Sequence, residues 1–346
     1  MIRPFMKIGA VAGGLLGVVA LTPRMAAAQG TLVMYCGVDE GWCRAMATTF
    51  EKQTGIHTDM TRQSAGELYA RLRAEKENPR GDIWWGGTGD PHLQAAEEGL
   101  TDEYKSPQLS HLRDWSQRQA ERAKFRTIGI YLGALGFGYN KEEIADKKLT
   151  PPACWADLIK PEFKGEVQMA DPNSSGTAWT MLATIVQLMG EEPAFAYMKK
   201  LNSNINEYTK GGAAPAFAAG KGETIIGVAF QHDVIDAAKH NLPVQVVSPC
   251  EGTGYEIGSM SLIKGARHPE EARKFYEWAL SPEAQKLAAQ TGSYQIPSNP
   301  DTPVPPEAPD LSKIKLIEYD FAKYGSSAMR THLLGRWTNE VKNAPR

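Results

Sequence analysis

The residues best suited to bind a charged ligand lie in one stretch, Asp171-Pro172-Asn173-Ser174-Ser175-Gly176-Thr177-Ala178-Trp179-Thr180. It follows a strand-like run and leads into apolar residues at helical spacing that end at Gly190. A helix start presents unpaired N–H groups and the positive end of the helix dipole, so it can bind an anion. Ser174, Ser175 and Thr177 would add hydroxyl donors. Serine and asparagine are also ordinary helix caps, so the stretch alone leaves both interpretations open.

Two earlier stretches repeat this pattern of a strand end, a small polar turn and a helix start. They are Ser64-Ala65-Gly66, with Glu67 at capping-box spacing, and Gly86-Gly87-Thr88. If the three turns converge, their N–H groups and hydroxyls would hold a phosphate without a charged clamp. Arg62 could add a positive charge, although an exposed surface arginine is the simpler interpretation.

A second group of polar residues could recognise the hydroxyls of a sugar. Gln231-His232-Asp233 follows a strand-like run, and Glu256 lies in a later one. Each charge-assisted hydrogen bond from a sugar hydroxyl would contribute about 1–3 kcal/mol. His232 and Asp233 could equally be ordinary first-turn residues that interact with the helix backbone and its dipole. The tight ligand spacing of a zinc site is absent, so no metal is expected.

Four tryptophans, Trp84, Trp85, Trp155 and Trp179, could line a cleft and stack on a pyranose ring. Adjacent residues on a strand point to opposite sides, so at most one of Trp84 and Trp85 can reach a given pocket. Packing in the core is the expected place of the other.

The sequence carries none of the common catalytic motifs. It has no G-x-x-x-x-G-K-[ST], no G-x-S-x-G and no His-Glu-x-x-His. A binding protein is therefore favoured over an enzyme, with a hydrolase of phosphate esters as the enzymatic alternative. The formal charge of −2 and the pI near 6.4 argue against a nucleic acid partner.

The elements that must position these residues alternate between strands and helices. A strand at 31–36, a helix at 42–53 closed by Gly55, and a strand through Ile56, Thr58 and Met60 form a βαβ unit. A strand at 82–85 then leads to a helix capped by Asp90. Such units predict a parallel sheet whose ligands bind at the carboxyl ends of its strands. The glycine-rich run 128–140 and the run 255–263 are interpreted as extended crossings between two lobes.

The first 28 residues have the pattern of a cleavable signal peptide. Arg3 and Lys7 precede an apolar run, and Ala26-x-Ala28 resembles a cleavage site. An exported chain with four cysteines favours disulfides. Cys36–Cys43 with Cys154–Cys250 is the preferred pairing of the three possible, while reduced and buried cysteines remain the alternative.

At three runs the chain resembles the periplasmic solute-binding proteins of ABC importers, in the ferric-binding branch. The runs are 32–37, 81–91 and 171–178. The resemblance implies a type II periplasmic binding fold, with two α/β lobes joined by two crossing strands and ligand in the cleft. It implies an N-terminal lobe of residues 29–130 and 255–303 and a C-terminal lobe of residues 131–254 and 304–346. It also implies a periplasmic monomer that delivers its ligand to a membrane permease.

Within that branch the sequence departs from the iron binders. Iron binders have a tyrosine pair where this chain has Gln231-His232-Asp233, and they place a histidine and a glutamate where this chain has Gly37 and Gly86-Gly87-Thr88. The chain is more similar to the hexose-phosphate-binding members, which use no cofactor. Their pattern implies phosphate-binding residues Ser64, Ala65, Gly66, Thr88, Ser174, Ser175, Gly176 and Thr177, and sugar-binding residues Cys36, Gly37, His232, Asp233 and Glu256.

The resemblance therefore predicts capture of a sugar phosphate such as a hexose 6-phosphate. Another phosphorylated or phosphonate solute, such as a phosphoglycerate or an aminoethylphosphonate, is the alternative within the same class. A ferric-iron receptor is the second alternative, and the sequence places no phenolate for it.

Overall fold

The computed structural model describes residues 1–2, 4 and 30–345. Except for residues 1, 2 and 4, the predicted signal peptide lies outside the described residues, so its structure is not considered further. In the described part of the chain, no helix is both long and apolar enough to cross a membrane.

Ten strands of the described chain form one continuous mixed sheet. The order of its main path is β2-β1-β3-β9-β4-β7-β5-β6, and β8 and β10 both pair with β4. The strand bounds are β1 Thr31–Cys36, β2 His57–Arg62, β3 Ile83–Trp85, β4 Ile128–Asn140, β5 Val167–Ala170, β6 Ile205–Thr209, β7 Ile226–Phe230, β8 Val244–Val247, β9 Tyr255–Leu262 and β10 Ile296–Pro297.

Helices cover the sheet and connect its parallel strands. The α-helix bounds are α1 Glu40–Thr54, α2 Ala65–Ala74, α3 Gly89–Glu97, α4 Asp114–Arg122, α5 Lys141–Asp146, α6 Gly176–Met189, α7 Glu191–Asn202, α8 Ala214–Gly220, α9 Gln231–Lys239, α10 Pro269–Ala279, α11 Pro282–Gln285, α12 Leu287–Gln290, α13 Phe321–Tyr324 and α14 Ser327–Arg336. Short 3₁₀ turns lie at 109–111, 155–159, 161–163 and 311–313, and a π-helical turn follows at 337–342.

Strand β4 joins the two halves of the sheet. Its first part pairs antiparallel with β9, and its second part pairs antiparallel with β7 and β8. β1 is parallel to β2 and β3, whereas β5 is parallel to β6 and β7. The extended run predicted at 128–140 is confirmed, as is the α/β class. The lobe boundaries predicted at 130/131, 254/255 and 303/304 remain a prediction.

Local sequence signals account for several helix ends. The capping box of Ser64 and Glu67 is present at the start of α2, and Gly55 ends α1 in the left-handed region at φ 75°. The predicted cap of α3 at Asp90 is wrong, because that helix begins at Gly89 with Thr88 as its N-cap. The stretch 282–290 forms two short helices, α11 and α12, with a break at Lys286.

The buried apolar side chains of the described chain form four clusters. One core contains Trp155 and Trp179, and another contains Trp85. Trp84 packs in a third cluster, where its ring stacks on His92 at a centroid distance of 3.6 Å. All four tryptophans that could have stacked on a sugar are therefore buried, and none lines the cleft described below. The hypothesis that a tryptophan stacks on a sugar in the cleft is therefore wrong, because these large apolar rings pack in the core instead.

Both predicted disulfides are present, linking Cys36 to Cys43 and Cys154 to Cys250. The first joins the last residue of β1 to the first turn of α1. The loop between them, Gly37-Val38-Asp39, is thereby fastened at both ends. The second closes a loop of much greater sequence separation, 96 residues against seven.

Candidate functional site

A polar cavity lies between the two halves of the sheet, where strand ends meet helix starts. It is small, about 60 Å³, because the two halves are closed on each other. Six strand-to-helix junctions contribute to it, following β1, β2, β3, β5, β6 and β7. The lining residues are Gly37, Val38, Asp39, Arg62, Ser64, Ala65, Gly87, Thr88, Tyr131, Ser175, Gly176, Thr177, Gly212, Ala213, Phe230, His232, Asp233, Glu256 and Gln295.

One end of the cavity is formed by the N-termini of α2, α3 and α6. Ser64 caps α2, Thr88 caps α3, and Ser175 caps α6 by accepting the N–H of Ala178 at 3.4 Å. Thr88 Oγ1 is buried and has no partner among the described residues. Because three helix dipoles point their positive ends into this end of the cavity, it is suited to an anion.

Gly176 permits the closest approach between the two halves. A Cβ at this position would collide with Thr88 Oγ1 and lie 3.0 Å from both Thr88 Cβ and Cγ2. The glycine therefore serves a packing purpose: it lets the first turn of α6 rest against the cap of α3.

Direct hydrogen bonds also cross from one half to the other at this end. The Gly66 N–H donates to Ser174 O at 3.0 Å, and Ser64 Oγ donates to Lys210 O at 3.0 Å. Ser174 Oγ lies 3.3 Å from the same Lys210 oxygen. Of the eight residues predicted to bind phosphate, six line the cavity, while Gly66 and Ser174 lie outside the lining and bond across the cleft.

A second part of the cavity lining contains the predicted histidine and carboxylates. His232 Nε2 lies 3.5 Å from Asp233 Oδ1 and 3.9 Å from Glu256 Oε1. The imidazole stacks on Phe230, with the ring centroids 5.4 Å apart. Its Nδ1 is buried with no partner in the described structure. The start of α9 therefore supplies His232 and Asp233, and the crossing strand β9 supplies Glu256.

Burial controls the charge state of this part of the lining. Desolvation lowers the pKa of His232 to about 3, so the ring is neutral at physiological pH. Burial, reinforced by the neighbouring acids, raises the pKa of Asp233 and of Glu256 well above their usual values. The pKa of Asp39 is also raised by burial, against the opposing effect of the Arg62 guanidinium.

Several lining residues were not anticipated from the sequence. Tyr131 lies on β4, and its hydroxyl oxygen accepts the Gly87 N–H at 2.9 Å. Asp39 precedes α1, at the same kind of strand-to-helix turn as the predicted sites, so the pattern could have identified it. No local signal marks Tyr131 or Gln295, which reach the cavity through sheet pairing.

Two predicted positions have other surroundings than expected. Cys36 is buried in its disulfide and does not line the cavity, although the adjacent Gly37 does. Arg62 is exposed as the simpler interpretation supposed, yet it also lines the cavity, and its Nε donates to Val38 O at 2.9 Å.

Among the described residues, one group of metal-ligating types is close enough to share an ion: Cys154, Cys250 and Glu251. Its two sulfurs form a disulfide, so they offer no thiolate to a metal. The group lies outside the cavity lining.

The fold and the interlobe cavity define a class, the two-lobed type II periplasmic binding proteins. A family model for bacterial extracellular solute-binding proteins matches residues 88–324, and the chain belongs to that family. An uncharacterized protein of Haemophilus influenzae is 44% identical over 319 residues, 92% of each chain. These family members are substrate-binding transport proteins rather than enzymes.

Comparison with solved structures indicates the branch of periplasmic binding proteins to which the chain belongs. The periplasmic binding protein AfuA of Actinobacillus pleuropneumoniae, with fructose-6-phosphate bound, is 43% identical with a TM-score of 0.89, covering 91% of this chain and all of that one. Iron-bound HitA of Pseudomonas aeruginosa shares the fold, with a TM-score of 0.73 at 21% identity over 88% of this chain and 98% of that one. The chain is thus a periplasmic solute-binding protein of an ABC importer in the iron-binding-protein-like branch.

A more distant relative is named for a different ligand. A putative 2-aminoethylphosphonate-binding periplasmic protein of Salmonella typhimurium is 27% identical over 313 residues, 86% of each chain.

Proposed function

We propose that this receptor captures a sugar phosphate, such as a hexose 6-phosphate, and presents it to its membrane permease. The observation that carries the proposal is the composition of the cavity lining. The N-termini of α2, α3 and α6 line it together with His232, Asp233 and Glu256. An anion joined to a polyhydroxylated ring matches both parts of the lining at once. The 43% identical AfuA, solved with fructose-6-phosphate, supports the same ligand class.

Ligand entry requires the two halves to separate, because direct hydrogen bonds now join them across the cavity. The hydrogen bonds that now cross the cleft, from Gly66 to Ser174 and from Ser64 to Lys210, would break on opening. We infer that a phosphate then takes over the Ser64 hydroxyl and the first-turn N–H groups, and that strands β4 and β9 act as the hinge.

Calorimetric titration with glucose 6-phosphate, fructose 6-phosphate and free glucose tests the proposal. We expect both phosphates to bind and free glucose to bind at least a hundredfold more weakly, since it leaves the anion end empty. Equal binding of free glucose would contradict the phosphate assignment.

A phosphorylated or phosphonate solute without a sugar ring is the second candidate, favoured by the aminoethylphosphonate-binding relative. Such a ligand offers no row of hydroxyls to His232. The substitution His232→Ala should then leave its affinity nearly unchanged, whereas a hexose phosphate should lose affinity by tenfold or more.

Ferric iron is less compatible with this cavity. Contrary to the sequence-based expectation, one phenol does reach it, that of Tyr131. Iron binders of this branch use a tyrosine pair, whereas Tyr131 is the single tyrosine among the described lining residues, and its hydroxyl already accepts the Gly87 N–H. We expect no visible charge-transfer absorption when iron is added.

A further inference from the structure

The cavity contains more negative than positive groups. Three carboxylates line it, those of Asp39, Asp233 and Glu256, while Arg62 is the single lysine or arginine among the described lining residues. His232 is neutral because burial lowers its pKa. A phosphate dianion would add further negative charge to this small space.

Two of these acids, Asp233 and Glu256, lie beside His232. In residues 30–345, no lysine or arginine nitrogen lies within 4.0 Å of Asp233 or Glu256, and their recorded ion-pair contact is the neutral His232. The unpartnered Nδ1 of His232, on a side chain that is only 6% exposed, lies in the same group. The buried Nδ1 of His232 thus has no hydrogen-bond partner in the described structure, and the two acids have no lysine or arginine as an ion-pair partner.

A sugar hydroxyl satisfies this group only in part. It exchanges hydrogen bonds with the acids but brings no positive charge, so it does not offset the burial and mutual repulsion that favour their protonated forms. An ammonium group donates three hydrogen bonds and carries a full positive charge. A pair of buried carboxylates requires both.

We propose that the preferred ligand is a phosphorylated amino sugar, a hexosamine 6-phosphate, whose ammonium group lies between Asp233 and Glu256. Its phosphate occupies the end formed by Ser64, Thr88 and Ser175. This inference rests on the proposed function and narrows its substrate class.

The protonation of the acids gives the binding step a signature. Burial and neighbouring acids raise the pKa of Asp233 and Glu256, and an ammonium beside them lowers it again. Binding of the amine therefore releases protons to the buffer. The charged or titratable groups that face these two carboxylates are Asp39, Arg62, Asp90, Tyr131, His232 and Asp236.

Calorimetric titration of the wild-type protein at pH 7.5 compares glucosamine 6-phosphate with glucose 6-phosphate, in two buffers of different ionisation enthalpy. The two ligands differ at one position, an amine against a hydroxyl. We expect the amino sugar to bind at least tenfold more tightly and to release protons. Equal or weaker binding of the amino sugar overturns this inference and leaves the proposed function intact. Failure of both ligands to bind overturns the proposed function itself.

Isosteric variants locate the amine. Asp233→Asn and Glu256→Gln remove charge without changing size, and each should reduce the ratio of the two affinities by fivefold or more. Glu121→Gln, an exposed acid on α4, serves as the matched control and should keep the wild-type ratio. An unchanged ratio in both cleft variants would overturn the placement, and the ligand comparison in the wild-type protein does not depend on their folding.

Discussion

Replacing Gly176 with alanine tests whether the closed cleft depends on contact between α6 and Thr88. The added Cβ meets the hydroxyl, Cβ and Cγ2 of Thr88, a β-branched side chain that cannot rotate all three atoms away. Overpacking of this kind costs about 1–3 kcal/mol. The cost applies to the closed form, because the two partners lie in opposite halves of the molecule. Ligand affinity should therefore fall by about 5- to 150-fold.

The assay combines glucose 6-phosphate titration with a measurement that needs no ligand. Amide hydrogen exchange at Gly66 reports on closure, because that N–H donates to Ser174 O across the cleft. In Gly176→Ala its exchange should become faster. Thr88→Ala in the same chain should restore part of the slow exchange at Gly66, since it removes two of the three colliding atoms.

Gly41→Ala is the matched control. Gly41 lies in the first turn of α1, and no atom lies within 4 Å of the Cβ that alanine would add. It should change neither the ligand affinity nor the Gly66 exchange rate. The reasoning is refuted if Gly176→Ala binds glucose 6-phosphate as tightly as the wild type and shows unchanged exchange at Gly66.

Two further predictions concern stability. Burial raises the pKa of Asp90 to about 7 from its ordinary 3.8. Between these two pH values the folded protein holds a proton that the unfolded chain releases. The stability of the wild type therefore falls as the pH rises from 3.8 to about 7. The stability of Asp90→Asn relative to the wild type should thus increase by about 1.4 kcal/mol per pH unit from pH 4 to 7, with no further increase above pH 7. Urea unfolding at several pH values measures this difference in the free energy of unfolding. A difference that does not change with pH would contradict the prediction. Replacing Cys154 and Cys250 with alanine should lower the free energy of unfolding by about 4–5 kcal/mol, and replacing Cys36 and Cys43 should lower it by about 2–3 kcal/mol. The difference arises because the entropy that the unfolded chain regains grows with loop length, and the separations are 96 and 7 residues. Thermal unfolding of the two double variants compares them, and equal losses would show that loop length does not set the effect.

The sequence predicted those parts of the site that depend on local patterns. The turns at Ser64, Thr88 and Ser175 each follow a strand and begin a helix, and such junctions gather at the carboxyl ends of parallel strands. The glycine-rich run 128–140 was identifiable because it is too apolar and regular for a flexible linker. Local patterns also explain the wrong cap at Asp90, since Thr88 stands two residues earlier with the same capping chemistry.

The remaining parts depend on contacts between distant segments. Tyr131 reaches the cavity from a crossing strand, where its hydroxyl meets Gly87, 44 residues earlier. The role of Gly176 as a contact surface for Thr88 also appears only once the two halves are brought together. The tryptophans were misjudged because a sequence does not show whether a large ring faces a cleft or a core.

The short disulfide between Cys36 and Cys43 has a consequence for when the protein becomes able to bind. It fastens the Gly37-Val38-Asp39 loop, and all three of those residues line the cavity. Disulfides form in oxidising compartments outside the cytoplasm, where the relatives of this chain work. We therefore expect the reduced, newly made chain to be a poor binder. Oxidation would then act as a maturation step that keeps the protein from sequestering phosphorylated metabolites of the cell in which it is synthesised.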